Sequence, residues 1–170
     1  AQHSANASVR LLVLPITYGT DPLVTSKSER KKNLTLADTR RAQIEAACNV
    51  VKLPGQTCIA TLVPALVRSD ASLQSNLDLF TADVDGMFVL GGDQTVAMGV
   101  VAGTPLEARM DALYRTGVVF GGNSAGDAVQ AWLSHQCAGV HHALQELGES
   151  EASQDEECGK EANHAIINGA

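Results

Sequence analysis

The chain predicts an α/β fold: a doubly wound, mostly parallel sheet with helices on both faces. Three features of its 170 residues lead there. Short apolar runs alternate with amphipathic stretches from end to end. Pro and Gly mark the ends of those runs. Two Gly-rich segments, "GGDQ" at Gly91–Gln94 and "GGNSAG" at Gly121–Gly126, directly follow apolar runs. Alternation of strand and helix makes parallel strands joined by right-handed crossovers. Ligands of such sheets bind beyond the carboxyl ends of the strands, where both Gly-rich segments would lie.

Each element has its own signal. "VRLLVLPI" at Val9–Ile16 is apolar, closed by Pro15 and the turn-like "YGTDP", and predicts a buried strand. "SKSERKKN" reads as a polar loop, and Thr35-Leu-Ala-Asp38 as the capped start of a helix with Ile44, Ala47, Cys48 and Val51 on one face. "TCIATLV" at Thr57–Val63 predicts the second strand. A helix from about Asp70 follows from the spacing of Leu73, Leu77 and Phe80. "DGMFVL" at Asp85–Leu90 is the third strand. Thr104-Pro-Leu-Glu107 combines a Thr N-cap, Pro at the first helical position and Glu three residues after the cap; Gly117 fits the stop. Val118–Phe120 is a short fourth strand leading to Ser124, and Ala128, Val129, Trp132 and Leu133 give the next stretch an apolar helical side.

Charge narrows the function classes. The net charge is −7, but residues 1–69 carry +5 and residues 70–170 carry −12. The basic cluster at Lys27–Lys32 has no aromatic residue interleaved, so a nucleic-acid partner is not expected. No apolar run approaches the roughly 20 residues of a membrane-spanning helix, so no membrane partner is expected either. Residues 145–161 hold seven acids against Lys160 and read as a mobile acidic loop within one domain spanning 1–170. Cys48, Cys58, Cys137 and Cys158 allow two disulfides or buried thiols. The sequons at Asn6 and Asn33, in segments that read as surface loops, favour a secreted or periplasmic protein over a cytoplasmic one.

Gly122-Asn-Ser124-Ala-Gly126 is a G-x-S-x-G between a strand and a helix, the setting in which such a serine is a nucleophile. The competing reading is a structural or phosphate-binding turn. A serine hydroxyl needs a base to take its proton, and the N–H of Ala125 is placed to meet a developing oxyanion.

"FVLGGDQ", followed about thirty residues later by "GVVFGGNSAG", resembles the cyanophycinase and α-aspartyl dipeptidase family of serine peptidases. Residues 85–130 carry the resemblance. It implies a flavodoxin-like fold related to class I glutamine amidotransferases. It also implies Ser124 as nucleophile and an oxyanion hole from the N–H of Ala125 with that of Gly91 or Gly92. Gln94 would contact the substrate, while Asp93 caps the following helix. The family's histidine base lies about forty residues after the nucleophile. His164 has that spacing, though its surroundings, "EANHAIIN", do not match; the alternative is a histidine beyond residue 170, in a chain that is one piece or one processed subunit of a longer polypeptide. The activity implied is cleavage of a peptide or isopeptide bond beside an acidic, aspartyl residue, with no metal or organic cofactor. A second chain completing the domain and a homodimer both stay open. The other function class is a non-catalytic, amidotransferase-like binding module for an amino-acid-like ligand.

Overall fold

A computed structural model describes residues 7–129. Four strands form one all-parallel sheet in the order β2-β1-β3-β4: β1 (Ser8–Leu14), β2 (Thr57–Leu62), β3 (Gly86–Val89) and β4 (Val119–Gly122). This is the α/β, doubly wound arrangement that strand–helix alternation predicts, and it is flavodoxin-like, as the resemblance implies.

The strands alternate their side chains between two cores, as a period of two requires. Leu12 and Leu14 of β1 and Met87 and Val89 of β3 face one core, with Val96, Val100, Leu106 and Met110. These last four come from α3 (Gln94–Val101) and α4 (Pro105–Arg115). Val13 and Leu90 face the other core, with Ala37 and Ile44 of α1 (Lys27–Val51). Helices therefore cover both faces. Register decides where the loops go. Leu14 pairs with Val89, and Val89 with Gly122, so β1, β3 and β4 end level and their following loops converge.

Two expectations about helices need correction. α1 begins at Lys27, not Thr35, because Ser26 Oγ accepts from Glu29 N, a cap hidden in a fully polar run. Asn33 thus lies inside a helix rather than a surface loop. The helix expected from Asp70 is instead a 3₁₀ turn (Arg68–Ser72) and a single α-turn, α2 (Gln74–Leu77). The buried Asp70 carboxylate accepts from the N–H groups of Leu66 and Val67 and from Arg30 Nη1, while Asn76 Nδ2 donates to Asp70 O. These side-chain bonds hold the backbone in a tighter path than a continuous helix allows. Between β3 and β4 lie two helices, α3 and α4, split by Gly103 at φ 67°.

α4 starts as its sequence predicts. Thr104 Oγ1 accepts from Glu107 N, Pro105 stands at the first position, and Gly117 stops the helix at φ 86°. Cys48 of α1 is bonded to Cys58 of β2. The bond closes a short loop, worth about 2–3 kcal/mol. Cys137 and Cys158, Asn6 and the acidic segment 145–161 lie outside the described residues.

Candidate active site

The site is built where the loops after β1, β3 and β4 meet. β4 ends at Gly122; Asn123 and Ser124 make the turn, and a helix begins at Ala125. Ser124 has φ 55°, the left-handed region that costs a residue with a Cβ about 1–2 kcal/mol. Its neighbours hold it there. Asn123 N donates to Val89 O (3.4 Å), Gly126 N to Asn123 O (3.0 Å) and Asp127 N to Ser124 O (3.0 Å).

The flanking glycines permit the turn because backbone packs on backbone. A Cβ on Gly122 would sit 2.5 Å from Gly126 C and 2.8 Å from Asp127 N. One on Gly126 would collide with the carbonyl of Val89. Strand, turn and helix are thus welded together, and Ser124 is left exposed at the top of the sheet.

The loop after β3 is clamped to this elbow. Gly91 N donates to Asn123 Oδ1 at 3.0 Å, and a Cβ on Gly91 would lie 3.2 Å from that of Ser124. Two bonds to the β1 end fix the same loop: Thr17 Oγ1 donates to Leu90 O (2.7 Å) and Asp93 N to Thr17 O (3.0 Å). Asp93 caps α3, its carboxylate accepting from Thr95 N (2.7 Å) and Val96 N (3.2 Å). That carboxylate is therefore committed to the helix.

The structure brings Gly91 against Asn123 and Ser124, with Ala125 next in the chain, whereas a Cβ on Gly92 would meet Thr17. Among the described residues, the N–H groups of Gly92 and Ala125 have no acceptor, whereas that of Gly91 is taken by Asn123. Of these N–H groups, those of Gly92 and Ala125 are the two open to a further acceptor among the described residues. Gln94 is exposed at the first position of α3 and lines a crevice of about 390 Å³ with Thr95, Met98 and Ala128. Ser124 Oγ has no hydrogen bond to a described residue. No histidine occurs in residues 7–129, and His164 lies outside the described residues. Among the described residues, no helix is long and apolar enough to cross a membrane, and no three His, Cys, Asp or Glu side chains gather as metal ligands.

A second crevice, of about 620 Å³, opens on the other side of the elbow, toward α1. Arg40, Gln43 and Tyr18 line it along with Gly91 and Asn123. Burial pushes the Tyr18 hydroxyl pKa up, and the adjacent Arg40 guanidinium pulls it back down. None of Tyr18, Arg40, Gln43 and Asn123 stands out in the sequence. The one usable signal is the amide of Asn123, which lies within reach of an adjacent glycine loop whose N–H groups need acceptors.

No model of a protein family matches the chain, and no curated protein matches it.

Proposed function

We propose that the protein is a serine hydrolase of the cyanophycinase-like kind, cleaving a peptide or isopeptide bond beside an acidic residue through an acyl-enzyme on Ser124. The observation that carries this reading is the strained backbone of Ser124 at a strand–turn–helix junction, with a glycine loop clamped against it. A left-handed serine exposes its Oγ where a substrate carbonyl can approach. Attack by that oxygen on the carbonyl carbon forms a tetrahedral intermediate. Its oxyanion would sit before the N–H groups of Gly92 and Ala125, fixed dipoles that need not reorganise. The hydroxyl proton passes to a histidine from outside the described residues, His164 or one supplied elsewhere, and then to the leaving amine. Water cleaves the ester in the second half-reaction. Gln94, which lines the crevice on the far side of the elbow, would contact the substrate.

The test uses a fluorophosphonate probe on the full chain, with peptide mapping. Labelling of Ser124 in the wild type is expected. Ser124→Ala should lose labelling and lower turnover of aspartyl peptides by about 10⁴-fold or more, with the fold intact. Retention of a tenth of wild-type turnover would rule out the nucleophile. A folded wild type that never labels would favour the non-catalytic binding module.

A further inference from the structure

We propose that the crevice between α1 and the elbow is a carboxylate-binding subsite in which Arg40 selects the substrate. This rests on the hydrolase reading and assigns the residues behind an acidic preference.

Gln43 Oε1 accepts from Arg40 Nη1 at 2.8 Å, so its carbonyl is occupied and its NH₂ is left to donate. Asn123 Oδ1 accepts from Gly91 N at 3.0 Å, which leaves Nδ2 to donate in the same way. The Tyr18 hydroxyl lies beside the guanidinium. Among the described residues no acidic side chain lines the crevice, and its walls include the apolar Phe88 and Leu90. Every polar side chain that the described residues place there is thus a cation, or a group with a hydrogen to give. Such a lining suits an anion with a short apolar stem. The planar guanidinium fork fits a carboxylate with two parallel bonds.

Position ties this subsite to the chemistry. Asn123 lines the crevice and immediately precedes Ser124. A ligand reaching from one to the other would place its carboxylate at Arg40 and its scissile carbonyl at Ser124 Oγ. The carboxylate has two sources, an acidic side chain or the free end of a short peptide. Both present the same group to the guanidinium.

The experiment compares Arg40→Met with wild type on matched substrates. One pair is aspartyl and asparaginyl p-nitroanilide; the other is a neutral dipeptide with a free and an amidated terminus. The ratio of kcat/KM for the acidic over the neutral member should fall about 30- to 100-fold in Arg40→Met, as for a lost charge-assisted bond. Arg40→Lys should recover part of it. The pair whose ratio falls identifies the source of the carboxylate. Unchanged ratios in both pairs would overturn the subsite. Fluorophosphonate labelling of the wild type reports separately on the hydrolase reading. If labelling fails, N-acetylaspartate titrated while following the amide resonances of Gly91 and Asn123 still decides. Shifts that vanish in Arg40→Met support the subsite, and their absence in the wild type at about 10 mM ligand rejects it, since binding weaker than that is worth less than about 3 kcal/mol. Arg40 is exposed on α1, and an unchanged urea midpoint confirms that the variant folds.

Discussion

Glu107→Gln should stabilise the protein at pH 8 far more than at pH 5. Glu107 is 4% exposed at the start of α4. Its Oε2 accepts from Gly103 N at 2.8 Å, while Oε1 has no hydrogen-bond partner among the described residues. Burial raises its pKa to about 7 from an ordinary 4.5; Asp111 adds to the rise, and the Gly103 N–H and Arg68 oppose it. A carboxyl whose folded pKa is raised favours the folded state below its unfolded pKa. That contribution is lost as pH climbs from about 4.5 through about 7. At 1.36 kcal/mol per pH unit the total is about 3 kcal/mol, of which roughly 2.5 falls between pH 5 and pH 8. Glutamine keeps the acceptor for Gly103 and does not ionise. The gain from the substitution should therefore grow by about 2–3 kcal/mol over that interval. Urea denaturation of both proteins at pH 5, 6, 7 and 8 measures it. A gain that is the same at every pH would mean that Glu107 is either solvated or paired when charged, and the burial argument would fail.

Two further substitutions probe the elbow. Gly126→Ala should cost more than about 3 kcal/mol or prevent folding, because the new methyl meets the backbone of Val89 rather than a movable side chain; the urea midpoint checks this. Asn123→Ala should slow fluorophosphonate labelling of Ser124 about tenfold by freeing the Gly91 loop, whereas Asn123→Asp, which keeps an acceptor, should be slowed less; equal rates in all three would separate the clamp from the chemistry.

What could be read from the sequence was what is local. β1 to β4 announce themselves as apolar runs, and the elbow as a strand, two glycines and a helix within a dozen residues. The cap of α4 is equally local. α1 hid its start because Ala37 is the one fully buried residue in its 25, so apolar periodicity had almost nothing to register. The bent path at Asp70 depends on Arg30, forty residues earlier, and no local pattern contains that bond. Arg40 belongs with Asn123 for the same kind of reason. The two come together only because β1 lies next to β3, and β3 next to β4, so that α1 and the elbow flank one crevice. A reading along the chain sees the G-x-S-x-G turn but not the surroundings that a sheet assembles from distant segments.

The backbone at Ser124 weighs on the choice between a catalytic turn and a merely structural one. Among the described residues, Gly19, Gly55, Gly103 and Gly117 also have positive φ, and each is the residue that geometry prefers. Ser124 is the one described position with positive φ that is not glycine. Glycines surround it at 121, 122 and 126, yet the strained position itself carries a hydroxyl. A turn kept for folding alone would be more stable by about 1 kcal/mol with glycine there, since the Cβ strain would go. Ser124 Oγ gives nothing back to the fold, as it bonds to no described residue. A side chain that costs stability, makes no such contact and is exposed is what a reactive group requires. Strain of this kind argues for function rather than for architecture.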